Sequence, residues 1–186
     1  MAKDQNKPCD LPKRRQLRLK GYDYSQSNAY YITVCTRDRE MYFKNEEARK
    51  LIKDIWNKLP DKYNGIYTDE CIIMPNHIHG IISIVGANPG VRPNNDNGQT
   101  HGSAPTLGRI VQWFKTLTTN YYIKGVRNNN WKPFSGKLWQ RNYYEHIIRN
   151  DGDLNKIREY IRNNPVNWEN DSENITRRRE SMCLPE

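Results

Sequence analysis

The sequence contains no Cys-x-x-Cys pair: its four cysteines, Cys9, Cys35, Cys71 and Cys183, are scattered along the chain. That spacing excludes a zinc cage or a disulfide framework and leaves reduced thiols as the simplest state. Long hydrophobic runs are missing too. No stretch approaches the ~18 consecutive apolar residues of a membrane span, and the opening "MAKDQNKPCDLPKRR" lacks the apolar centre of a signal peptide. A soluble, cytoplasmic chain with no membrane partner is therefore expected. There is no internal repeat and no sign of a second domain, and 186 residues suit one domain with irregular segments. Positive charge and planar rings, by contrast, are plentiful. Thirty Lys and Arg stand against 21 Asp and Glu, a formal charge of +9, beside 12 Tyr and 5 Trp. A positive field combined with aromatic faces suits phosphate backbones and unstacked bases, although many basic proteins bind no nucleic acid.

Residues 1–20 read as a basic arm, with Lys13, Arg14, Arg15, Arg18 and Lys20 closely spaced and few apolar residues to order them. "AYYITVCT" alternates with a period of two and predicts the first strand. In "EEARKLIKDIWNKLP", Ala48, Leu51, Ile52, Ile55 and Leu59 recur at helical spacing, with Pro60 as the stop. Residues 65–74 predict a second strand, turned at Pro75-Asn76 into a third over 77–85. The Gly-, Asn- and Pro-rich residues 86–105 read as a flexible loop. Thr106 caps a helix expected to reach Ile123, with Leu107, Ile110, Val111, Phe114, Leu117 and Tyr121 on one face. An extended piece at "KLWQ" follows, then a helix "LNKIREYIRNN" capped by Asp153 and ended by Pro165, with Leu154, Ile157 and Ile161 as its stripe. Residues 169–186 read as a polar tail, poorly ordered over 172–186. The order β-α-β-β-α-β plus a helix is the α+β, ferredoxin-like split βαβ pattern, an antiparallel sheet with helices packed over one face.

Within the third strand, "NHIHG" places His77 and His79 on the same face and sends Ile78 to the other, into the core. Two neutral imidazoles so placed are within reach of one metal ion but leave its site incomplete, and on the motif alone a satisfied or surface histidine pair is the default reading. On the last helix, Tyr160 and Asn164 share a face one turn apart beside the apolar stripe. A docked helix could present an amide oxygen and a phenol there; the alternative is a packing aromatic and an ordinary helix C-terminus. Tyr143 and Tyr144 precede the last helix, lack an amide donor one turn on, and read as packing or nucleic-acid contacts. His101, in the loop, and His146 are left out of the site. Phosphate contacts are expected from Arg14, Arg15 and Arg18 of the arm, and from Arg109, Lys115, Arg141 and Arg149.

Four phrases, "GYDYSQSNAYYITVCTRDRE", "MPNHIHGIIS", "LWQRNYYEHIIRN" and "YIRNNPVNW", resemble the single-tyrosine HUH transposases, specifically the REP-associated tyrosine transposase branch. They stand in that family's order and span about residues 14–168, which would make 21–168 the catalytic domain. The resemblance implies a divalent metal, Mg2+ or Mn2+, held by His77, His79 and Asn164, with Tyr160 as nucleophile. It further implies cleavage and strand transfer of single-stranded DNA at hairpins of extragenic palindromic repeats, through a 5′-phosphotyrosine. A monomer at the nucleoid is expected, whereas insertion-sequence relatives form dimers with shared sites. Two readings compete with this one. The chain could be a catalytically silent repeat-DNA-binding regulator, or a two-histidine phosphoesterase, which would need a second H-x-[ST] strand motif that "HGS" in the loop does not supply.

Overall fold

Strand β1 (Asn28–Cys35) buries side chains on both faces, Tyr30, Ile32 and Val34 on one and Tyr31 and Thr33 on the other. A strand covered on two sides belongs inside a sheet. In the computed structural model, which describes residues 27–85, 105–171 and 173–174, β1 lies between β3 (His77–Ile84) and β4 (Tyr144–Ile148), with β2 (Ile66–Ile73) beyond β3. The order is β2-β3-β1-β4 and every neighbouring pair is antiparallel. Helix α1 (Glu46–Asn57) crosses from β1 to β2 and α3 (Leu107–Asn128) from β3 to β4. This is the ferredoxin-like α+β arrangement expected from the element order. The basic arm, residues 86–104 of the loop and residues 175–186 lie outside the described residues. Among the described residues, no helix is long and apolar enough to cross a membrane.

The helices differ from expectation in instructive ways. They do not all cover one face. α1 and α3 pack on the side of Ile32, Ile78 and Ile82, while α4 (Asp151–Asn163) covers the other, where Ile161 meets Tyr31, Ile81 and Ile148 in a second core. Both faces of β1 and β3 are apolar, so both require cover. Pro60 does not end helical structure but sits in the first turn of a short helix α2 (Leu59–Lys62), where its missing N–H costs no hydrogen bond. α3 runs five residues past Ile123, and its buried stripe shifts to Thr118, Tyr122 and Gly125, leaving Tyr121 exposed. The indole of Trp131 lies on Gly125, where a Cβ would come within 2.2 Å of the ring. α4 begins at Asn150, whose side chain accepts from Asp153 N at 2.8 Å; the Asp153 carboxylate instead accepts from His146 Nε2 at 2.9 Å.

The fourth strand is also displaced. "KLWQ" makes one isolated bridge, Thr36 with Trp139, because Trp139 turns into the core and donates Nε1 to Thr118 Oγ1 at 2.9 Å. Pairing with β1 resumes only at Tyr144.

Gly80, directly after His79, has a packing reason to be glycine. A Cβ there would approach Trp56 Cη2 to 2.4 Å, since the indole of α1 lies flat against β3. Gly80→Ala is expected to destabilise the fold by about 1–3 kcal/mol through overpacking, read as a lower midpoint in denaturant unfolding.

Candidate metal centre and its tyrosine

His77 stands opposite Cys35 and His79 opposite Thr33 in the β1–β3 ladder, on the face that α4 covers. Both rings are buried, and their Nε2 atoms lie 2.9 Å apart. Buried imidazoles need partners. Asn76, in the turn between β2 and β3, donates its Nδ2 to the carbonyls of Arg39 (3.1 Å) and Glu173 (2.8 Å). Its Oδ1 is thereby left to accept from His77 Nδ1 at 2.8 Å, which puts the ring proton on Nδ1 and turns the Nε2 lone pair into the site. His79 Nδ1 rests against the hydroxyls of Tyr31 (2.8 Å) and Thr33 (2.9 Å). Burial, reinforced by the Arg39 cation, lowers His77 to about 3. Burial and the neighbouring His77 lower His79 to about 3, against the opposing pull of Asp171. Both rings are neutral at physiological pH, the form that ligates metals.

α4 brings Tyr160 and Asn164 to this face. The Tyr160 ring is 5.4 Å from that of His79 and edge-on to Tyr31 at 6.2 Å, yet its side chain is 48% exposed. Partial burial raises its phenol pKa, as does the Asp171 carboxylate; hydrogen bonds from Tyr31 and Asn164 oppose the rise. Asn164 is buried, and its Oδ1 has no hydrogen-bond partner. Beside the phenol opens a cleft of about 310 Å³ lined by Lys156, Glu159, Asn163, Asn164 and Asn167. The helix is tied to β2 where that strand slips register between Thr68 and Cys71: Arg158 Nε donates to Asp69 at 3.0 Å and Arg162 Nε to Glu70 at 2.8 Å.

One participant was not foreseen. Residues read as the start of the polar tail continue the site: a 3-10 turn, Trp168–Asn170, returns the chain to the sheet and buries Asp171. Asp171 Oδ1 accepts from Glu173 N at 2.7 Å, whereas Oδ2 has no hydrogen-bond partner and lies 3.7 Å from His77 Nε2. The donor atoms of His77, His79 and Asp171 all fall within 4.8 Å of one another. The only hint in the sequence is Trp168, an aromatic anchor opening an otherwise polar stretch.

These donors fit a divalent cation. Unpartnered oxygens of Asn164 and Asp171 are buried in the same region as two imidazole nitrogens, an environment that is costly unless a positive charge occupies it. The 2.9 Å between the nitrogens also matches the ~3 Å between adjacent ligands of a hard cation bonded at ~2.1 Å.

The remaining candidates divide. Arg14, Arg15, Arg18 and His101 lie outside the described residues. Arg109, Arg141 and Arg149 are exposed. Lys115 has other work: its ammonium donates to the carbonyls of Gln140 (2.9 Å), Arg141 (3.3 Å) and Asn142 (3.0 Å), fastening the segment before β4. Burial lowers its pKa to about 8. Tyr143 lies under that ammonium, 5.5 Å from its ring centre. Tyr144 is exposed on the edge strand, its ring 6.2 Å from Tyr31.

The fold that carries the paired histidines and the tyrosine helix also occurs among solved proteins. A REP-associated tyrosine transposase solved bound to a REP hairpin superposes with a TM-score of 0.54 at 19% identity, over 78% of this chain and 70% of that one. An uncharacterized protein of Haemophilus influenzae (strain Rd) is 36% identical over 171 residues, covering 85% of this chain and 91% of that protein. A second protein of that strain, provisionally described as a REP-associated tyrosine transposase, is 27% identical over 150 residues, or 77% and 73% of the two chains. No protein-family model matches. The chain therefore shares its fold with that solved REP-associated tyrosine transposase and is similar in sequence, over most of its length, to the two Haemophilus proteins.

Proposed function

We propose that the protein is a metal-dependent single-stranded DNA endonuclease and strand transferase, acting at hairpin repeats through a 5′-phosphotyrosine. The observation that carries this is the half-exposed Tyr160 phenol beside two imidazoles whose lone pairs converge, with the unpartnered Asn164 oxygen one turn away. His77, His79 and Asn164 are the residues that would hold Mg2+ or Mn2+. Such an ion, when bound, supplies Lewis-acid polarisation of the scissile phosphate.

Tyr160 Oη attacks phosphorus in line; the new O–P bond forms as the bond to the 3′ oxygen breaks, the phenolic proton passes to solvent, and the departing 3′ oxygen takes up a proton from solvent to become a hydroxyl. Tyr31 and Asn164 lie beside the Tyr160 phenol and would stabilise the phenolate as it forms. Because the phosphotyrosine retains the energy of the broken bond, a 3′-hydroxyl can later displace Tyr160 and rejoin DNA without ATP. Arg109, Arg141 and Arg149, with Arg14, Arg15 and Arg18 of the arm, are proposed to contact phosphates. The hairpin bound by the solved transposase supports hairpins of extragenic palindromic repeats as substrate. A monomer working on nucleoid DNA in the cytoplasm completes the reading.

The test is incubation of the full chain with labelled single-stranded hairpin DNA and Mn2+. An SDS-resistant protein–DNA adduct, with the modified peptide mapped by mass spectrometry to α4, is expected. Binding without an adduct on every repeat hairpin tried would leave a DNA-binding regulator.

A further inference from the structure

We infer that Asp171 is itself a ligand of this metal centre, so that cation binding is coupled to the docking of the segment after α4. This rests on reading the site as a metal centre and goes beyond the donors legible in the His-x-His and Tyr-Asn patterns. The hydrogen-bond network argues for it. Since Asn76 fixes the His77 proton on Nδ1, His77 Nε2 is a bare acceptor. Facing it at 3.7 Å is Asp171 Oδ2, also a bare acceptor, 2% exposed at the side chain and without a hydrogen bond. Two acceptors do not attract each other, and a buried carboxylate oxygen without a donor is costly. His79 Nε2, 2.9 Å from His77, has one proton at most and can satisfy only one of them. A cation among the three atoms satisfies all of them at once. Two imidazoles and an amide form a neutral donor set; Asp171 adds the single anionic oxygen, which favours Mg2+ or Mn2+.

The position of Asp171 is not accidental to its own loop. Glu173, two residues on, is held three ways: its carbonyl accepts from Asn76 Nδ2, its carboxylate pairs with Arg39 Nε at 2.6 Å, and Cys35 Sγ donates to Oε2 at 3.3 Å. Its own N–H in turn fixes Asp171 Oδ1. Asn76 therefore sets the tautomer of one histidine and anchors the segment carrying the carboxylate. Arg39, Cys35 and Glu173 are positioning residues for Asp171.

The test measures Mn2+ binding to the full chain by the EPR signal of free Mn2+, without DNA. Asp171→Asn keeps the acceptor for Glu173 N–H but removes the charge, and should weaken binding at least about tenfold, as loss of a supporting group alone often does. A dissociation constant within twofold of wild type would overturn the inference. If that variant fails to fold, hydrogen exchange of the wild-type 168–174 peptide decides: Mn2+ should slow it, and unchanged exchange at saturating Mn2+ counts against the inference. Failure here is separable from failure of the transferase reading. Normal Mn2+ affinity in Asp171→Asn with a wild type that forms adducts removes only the inference. Weakened affinity with a wild type that forms none removes only the reaction.

Discussion

Tyr160→Phe is expected to abolish the covalent protein–DNA adduct while leaving hairpin binding and Mn2+ binding intact. The substitution removes one oxygen and keeps the ring, so the edge-on contact with Tyr31 and the packing against His79 persist. The neighbouring Tyr31 phenol is buried and held by His79 and Thr33, so it is not free to replace that oxygen. The loss should be complete within detection, which for a covalent nucleophile means several orders of magnitude in rate. Tyr144→Phe is the matched control: an exposed tyrosine on the same side of the sheet, whose loss should at most weaken DNA binding. An adduct that survives in Tyr160→Phe and vanishes in Tyr144→Phe would relocate the nucleophile to β4.

Replacing His77 and His79 together by glutamine should eliminate both Mn2+ binding and cleavage. Glutamine keeps a polar terminus against Asn76, Tyr31 and Thr33 but ends the convergence of two aromatic nitrogens at 2.9 Å. Cleavage should fall by 10³ or more, on the order of the several kcal/mol that Lewis-acid stabilisation supplies. Isothermal calorimetry with Mn2+ and the adduct assay read the two losses separately. Retained adduct formation in EDTA, by wild type or variant, would mean that the histidines do structural work only.

Much of this site could be read before any coordinates. The alternation that sends Ile78 into the main core and both histidines to the opposite face is a local property of an extended chain. The pairing of Tyr160 with Asn164 is a local property of a helix. Other features depended on contacts between distant segments. Asp171 is one aspartate in a polar stretch; only the turn after α4 and the Asn76–Glu173 bond make it a site residue. β4 escaped notice because it is a sheet edge with one fully buried residue, Ile148, while the more apolar "KLWQ" turned into the core. The two-sided covering of the sheet was foreshadowed by Tyr31 and Ile81, apolar residues on the face that also carries the histidines. Lys115 shows the reverse limit: its charge was visible, but not the three carbonyls that occupy it.

The alternation along β3 also bears on how the protein guards against its own misfolding. Slipping β3 by one residue against β1 would push His77 and His79 into the oily layer beneath α1 and α3 and expose Ile78 to the α4 side. Gly80 would leave the indole of Trp56 at the same step, and a bulky isoleucine would take its place. A mispaired molecule thus loses its core and its chemistry in one event. Any copy stable enough to persist in the cell already has its two imidazoles facing the tyrosine, so correct folding and an assembled site arrive together.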